Sequence, residues 1–237
     1  MSRIICMWSG PRNLSTAMMR SFGSRADCAV WDEPFFAPFL AVSGKDHPGR
    51  EETLAAHETD PEKVAARCAQ NAPDGSSLYF QKHMPHHMVK GFPKDWMGGA
   101  KHFFLIREPA RVIASYAKGR GAFDLEDLGF TSQRRLWEQL GRPPVIDSAD
   151  ILNDPAPMLQ LLCGALDIPW DKKMLSWEAG TRSEDGAWAP YWYHSVQNST
   201  GFAPPSKASV IVEARHQSLL TAVQADFNIL YQNRIKL

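Results

Sequence analysis

What this sequence lacks narrows its function before any motif does. It has no surplus of charge: 26 Lys and Arg offset 26 Asp and Glu. A surface that holds nucleic acid or an anionic membrane needs a broad basic face, so any anion site here must be local. No run approaches the ~20 apolar residues of a membrane span, and no basic stretch followed by a long apolar one opens the chain. The four cysteines, Cys6, Cys28, Cys68 and Cys163, are scattered without a C-x-x-C pair, and three of them sit in apolar patterns as core fillers. A soluble cytoplasmic protein in a reducing compartment is the expectation. Repeats, low-complexity tracts and linkers are missing too, so residues 1–237 are expected to form a single domain. The nucleoside-triphosphate pattern G-x-x-x-x-G-K-[ST] does not occur.

What is present is 237 residues, 44% apolar, enough for one substantial core, with a generous eight Trp and twelve Phe. Short apolar runs at 4–8, 28–31, 78–81, 102–106 and 144–147 read as strands, and 3.6-period segments between them read as helices. The helices are expected at about 14–22, 60–71, 109–118, 131–141 and 154–166, with a long terminal one from about Ser209 to Asn233. Asp60 and Asp154 are the expected N-caps of two of them. Residues 43–60 look like a polar surface excursion, and 119–130 a loop or lid. Gly119 and Gly121 would end the helix before that loop. This alternation predicts one α/β domain: a mostly parallel central sheet of about five strands with helices on both faces.

The first strand runs through Ser9-Gly10-Pro11 into a helix that opens near Leu14. Strand, polar turn and helix aim backbone N–H groups and a positive dipole end at one anion. Arg12, Asn13, Ser15 and Thr16 add a fixed cation and three hydrogen-bonding side chains without a carboxylate. The turn therefore suits a phosphate or sulfate group, although an ordinary β-turn-α corner has the same outline. Glu33 precedes Pro34, which holds it out of a helix and at a strand end. Lys82, His83, His86 and His87 crowd the end of the third strand. Adjacent His86 and His87 cannot both turn to one ion, and no Cys or acidic residue lies near in sequence, so no metal is expected. Arg107 stands at a fourth strand end, and Ser115 lies two helical turns beyond it; a helix-start Arg and a surface Ser is the alternative. The stretch from Trp177 to Phe202, aromatic and polar with three glycines, is the segment best suited to fold over a ligand.

Taken in order, these segments resemble the sulfotransferases that use 3′-phosphoadenosine-5′-phosphosulfate, from Ile4 to about Trp170 with a looser tail. Pro11, Arg12, Ser15 and Thr16 match that family's 5′-phosphosulfate loop; Asn13 stands at its Ser and Leu14 at its Gly. HFFLIREPARVIASY is similar to the 3′-phosphate motif, with Arg107 and Ser115 as the gripping pair. FQKHMP resembles the segment that carries the catalytic base, with His83 at the base and Lys82 one place from the family's Lys. VIDSADILNDPAPMLQLLCGALDIPW resembles the segment after the fifth strand, and DGAW resembles the Gly-rich nucleotide cover through Gly186 and Trp188, with Arg182 a weaker match. The resemblance implies sulfuryl transfer from that nucleotide to a hydroxyl or amine of a small acceptor, without a metal. Arg12 and Lys82 would stabilise the charge that develops, and Arg12, Asn13, Leu14, Ser15, Thr16, Arg107, Ser115, Gly186 and Trp188 would bind the donor. His83 is preferred to Glu33 as base, because an unperturbed His titrates near pH ~6.5 while a Glu must be raised from ~4.3. A non-catalytic nucleotide- or anion-binding protein of the same fold, and a small-molecule kinase, are the alternatives. Acceptor identity and oligomeric state are not readable from the residues.

Overall fold

The structure, a computed structural model, describes residues 1–120, 122–205 and 208–237. Five strands build one sheet: β1 (Arg3–Ser9), β2 (Cys28–Asp32), β3 (Leu78–His83), β4 (Lys101–Ile106) and β5 (Val145–Asp147), in the order β2-β3-β1-β4-β5. All four pairings are parallel, so the chain is a single α/β domain as expected. Twelve helices are described: α1 (Ser15–Gly23), α2 (Phe36–Ser43), α3 (Arg50–Ala56), α4 (Pro61–Cys68), α5 (Pro109–Gly119), α6 (Leu125–Leu128), α7 (Phe130–Gln139), α8 (Ser148–Asn153), α9 (Pro155–Ala165), α10 (Ala189–Trp192), α11 (His194–Gln197) and α12 (Gln217–Gln232).

The strands are buried on both faces, and alternate side chains feed two separate cores. Ile5 and Met7 join α1, α2 and α9 through Met18, Phe22, Phe39 and Leu162. Ile4, Cys6 and Trp8 join α4, α5, α7 and α12 through Val64, Ile113, Trp137 and Phe227. All four cysteines are buried, and among the described residues no helix is long and apolar enough to cross a membrane.

Several local expectations change. The excursion at 43–60 contains α3, and its Thr53 is fully buried. The terminal helix begins at Gln217 rather than Ser209, since Val210-Ile211-Val212 is a β-branched run with low helix propensity. Asp60 caps α4 through Glu62 N–H, but the Asp154 side chain makes no cap bond to α9; Asp147 caps α8 instead. Within 119–130 lies α6, opened by a reciprocal Asp124–Asp127 capping box. Gly121 of that segment lies outside the described residues.

The topology sets the site. From β1 the chain crosses to one edge of the sheet, and from β4 it passes to the other. The crevice beyond the C-terminal ends of β1 and β4 is therefore the switch point where open α/β sheets bind ligands.

Candidate active site

The loop from β1 to α1 is strained where it faces this crevice. Arg12 and Leu14 adopt left-handed backbone, φ 62° and 76°, and Glu33 at the end of β2 does the same at φ 39°. Such conformations cost about 1–2 kcal/mol each for residues with a Cβ, and they persist only where surroundings impose them. Leu14 thus takes the conformation a glycine would adopt, while its half-buried side chain packs against the α1 core. The surroundings that hold the loop are specific. Asn13 is 1% exposed and donates from Nδ2 to the Leu105 carbonyl of β4 at 3.2 Å. From α7, Gln133 Nε2 donates to the carbonyls of both Trp8 and Leu105.

At this end of the crevice two cations meet. Arg12 Nε donates to Ser115 Oγ at 3.0 Å, and Arg107 Nη1 donates to the Arg12 carbonyl at 2.6 Å. Both guanidinium groups are partly buried. Desolvation is the main cause that lowers both below the usual arginine range, and for Arg107 the neighbouring Arg111 and Arg12 add to it. Among the described residues neither forms an ion pair. A half-buried cation with only neutral acceptors around it is stabilised by an anion.

The opposite end, at the tips of β2 and β3, is charged but internally matched. Lys82 Nζ donates to Asp32 Oδ1 at 2.7 Å, Glu33 Oε1 at 2.5 Å and Tyr193 Oη at 2.7 Å, which uses all three of its N–H bonds. Tyr193 donates to Asp32 Oδ2 and accepts from Trp188 Nε1. Gly186 N–H is a further donor to Asp32. Desolvation alone would lower Lys82, but the two carboxylates outweigh it and carry its pKa well above the usual lysine value. Glu33 moves upward as well, which an ion pair by itself would not do. Burial is the main cause, Lys82 opposes it, and repulsion from Asp32 adds to it. One lysine serves two carboxylates, and Asp32 has three donors where Glu33 has Lys82 alone. The excess negative charge therefore falls on Glu33, the group poised to take up a proton.

A cavity of about 500 Å³ joins the two ends. Of the residues singled out from sequence, Arg12, Asn13, Leu14, Ser15, Thr16, Glu33, Lys82, Arg107, Ser115 and Trp188 all line it. His83 and Gly186 do not. His83 follows Lys82 on one strand, so the two side chains point to opposite faces. Lys82 faces the cavity, while His83 is 1% exposed, stacked on Trp8 at 4.6 Å and next to Trp96. Burial holds its imidazole neutral, well below the usual histidine value. Gly186 sits at the Asp32 end, where the Trp188 ring occupies the space a Cβ would need. The segment that reaches the arginine end is instead Trp192, whose carbonyl lies 3.5 Å from Arg12 Nη1.

Several lining residues had no assigned role in the sequence. His47, His86, His87 and Tyr193 lie on the cavity wall. The His86-His87 pair was visible as a cluster but considered only as metal ligands. Among the described residues no group of three or more His, Cys, Asp or Glu side chains is arranged to hold a metal ion.

The sulfotransferase domain model matches residues 2–232. The chain belongs to the sulfotransferase-domain family. Among solved structures, this sulfotransferase domain resembles the sulfotransferase domain from the curacin biosynthetic pathway, at 15% identity and TM-score 0.55 over 94% of this chain and 98% of that one. It also resembles a sulfotransferase from Alicyclobacillus acidocaldarius, at 12% identity and TM-score 0.56 over 99% and 98%. At these identities the likeness is one of fold. Two Arabidopsis thaliana proteins are similar in sequence: branched-chain-amino-acid aminotransferase-like protein 1, 40% identical over 232 residues, and protein 2, 38% identical over 231. The matches cover 96% of this chain but 41% of each relative, so the domain spans about two fifths of their length.

Proposed function

We propose that this domain transfers a sulfuryl group from 3′-phosphoadenosine-5′-phosphosulfate to a hydroxyl or amine of a small acceptor. The observation that carries the reading is the pair of half-buried arginines, Arg12 and Arg107, facing one cavity without an ion-pair partner, with the proton-accepting carboxylate of Glu33 on the same cavity. The left-handed loop and the first turn of α1 would hold the 5′-phosphosulfate with Arg12, and Arg107 with Ser115 would hold the 3′-phosphate. In the transfer the acceptor oxygen or nitrogen bonds to sulfur as the bond from sulfur to the bridging oxygen breaks. The leaving 5′-phosphate keeps the electron pair. Arg12 and the loop N–H groups stabilise that growing charge by fixed electrostatics.

In this reading the base is Glu33 and not His83. Position excludes His83 from the cavity, while burial raises the affinity of Glu33 for a proton toward the working range of a general base. Lys82, with its donors engaged, orients Glu33 rather than reaching the sulfuryl group. The same engagement makes Asp32 and Glu33 poor Mg²⁺ ligands, which weighs against the kinase alternative. Titration with 3′-phosphoadenosine-5′-phosphate and with ATP–Mg²⁺, followed by assay of labelled sulfate transfer to a panel of small phenols, alcohols and amines, tests the reading. Preference for the bisphosphate together with transfer supports it. Binding without transfer to any acceptor favours a non-catalytic module, and preference for ATP–Mg²⁺ overturns the reading.

A further inference from the structure

Beside Glu33 lies an imidazole to which the mechanism above assigns no role. His87 is 3% exposed and lines the cavity, its ring stacked against Phe36 and against Phe39 with centroids 4.8 Å from each. Its Nδ1 is buried without a hydrogen-bond partner, an arrangement that costs free energy unless a ligand supplies one. That atom lies 3.9 Å from Glu33 Oε2, too far for a direct hydrogen bond. Glu33 Oε1 is held by Lys82, so Oε2 is the oxygen left for a substrate.

A single oxygen atom about 2.8 Å from both Glu33 Oε2 and His87 Nδ1 would complete the two groups, and because Nδ1 is closed to solvent in the free protein, admitting it requires the imidazole to shift. Burial, with His86, His47, Lys82 and His83 nearby, keeps the His87 ring neutral, so one nitrogen carries hydrogen and the other does not. A carboxylate oxygen opposite Nδ1 can only accept, which favours hydrogen on that nitrogen. The gap then offers one acceptor, Oε2, and one donor, Nδ1–H.

From this geometry we propose that His87 is a specificity-determining residue that selects a hydroxyl over an amine as sulfuryl acceptor. A hydroxyl oxygen has two lone pairs and one hydrogen. It gives the hydrogen to Glu33, receives Nδ1–H on one lone pair and attacks sulfur with the other. A neutral amine nitrogen has one lone pair; accepting from Nδ1–H would occupy the pair needed for attack, and leaving it free strands a buried donor. The balance of the step is unchanged: the O–S bond forms, the bond from sulfur to the bridging oxygen breaks, and the proton moves to Glu33 Oε2. The proposal rests on the sulfotransferase reading.

The probes are 4-methylphenol and 4-methylaniline, which share a skeleton and are both uncharged near neutral pH. The variant is His87→Phe, which keeps an aromatic ring against Phe36 and Phe39 and removes the donor. The ratio of kcat/KM for the phenol to that for the aniline is expected to fall about tenfold or more in the variant; a merely structural role would lower both values together. Independently of turnover, ¹⁵N NMR of the wild type is expected to show His87 as the Nδ1–H tautomer, and Glu33→Gln to weaken that preference. An unchanged ratio, or an Nε2–H tautomer in the wild type, overturns the role of His87. Failure of the wild type to bind 3′-phosphoadenosine-5′-phosphate by calorimetry overturns the sulfotransferase reading instead, and this proposal with it.

Discussion

The two ends of the cavity handle charge in opposite ways. At the β1–β4 end, Arg12 and Arg107 bond to a hydroxyl and main-chain carbonyls and, among the described residues, form no ion pair with a carboxylate. At the β2–β3 end, Lys82, Asp32, Glu33 and Tyr193 satisfy one another completely except at Glu33 Oε2. A site that binds an anion is most useful when its cations are left unmatched, because a built-in carboxylate would compete with the ligand. A site that moves a proton needs its base held in one place with a tuned affinity, and a closed network does that. The first end therefore waits for a ligand to supply its counter-charge, while the second holds its lysine, tyrosine and aspartate in place in the free protein and leaves only the Glu33 Oε2 side open.

Four measurements would break or sharpen this contrast. The largest effect is expected from Glu33→Gln, which keeps shape and removes the base. Turnover should fall by ~10²–10⁴ while affinity for 3′-phosphoadenosine-5′-phosphate persists. Retained turnover would remove Glu33 from the proton transfer. Next, Lys82→Met leaves two buried carboxylates around an uncharged chain and should destabilise the fold by about 3–5 kcal/mol in urea unfolding. A loss below about 1 kcal/mol would mean the network is not closed in solution.

Arg107→Ala should behave in the reverse sense. Stability of the free protein should stay within about 1 kcal/mol, since no ion pair is broken, yet nucleotide affinity should drop roughly ten- to hundredfold. Ligand-induced stabilisation, about 2.7 kcal/mol at a hundredfold excess over Kd in the wild type, should shrink correspondingly. If Arg107→Ala and Lys82→Met cost the same stability, the two ends do not differ as described. The smallest effect is expected for His83→Phe. Turnover should remain within about threefold and stability within about 1–2 kcal/mol, because the ring packs against Trp8 and Trp96 and its hydrogen bond is to Gln81, away from the cavity. A large loss of turnover without unfolding would return the base assignment to His83.

Much of the fold was readable because it is local. The order of elements, the turn after β1 and the arginine at the end of β4 follow from apolar runs, breakers and helical periods. The rest depends on contacts that no local signal carries. Leu14 stands where the resembled loop has a glycine, and Asn13 and Gln133, clamped to β4, hold it in the left-handed conformation a glycine would take. Gly186 looked like part of a nucleotide cover, yet its close neighbour is Trp188 and its bond is to Asp32.

Lys82 and His83 show the boundary most clearly. The sequence by itself determined that a lysine and a histidine end the third strand on the ligand side of an α/β sheet. It could not say which one faces the ligand, because Leu78, Tyr79 and Phe80 are apolar in succession and leave no alternation to read. That choice was made by tertiary structure. Parallel pairing of β3 with β1, Trp8 against His83 and Met7 against Lys82, sends one side chain toward Trp8 and Trp96 and the other toward Glu33 and Tyr193. Partners more than seventy residues apart set that register, so no local pattern carries it.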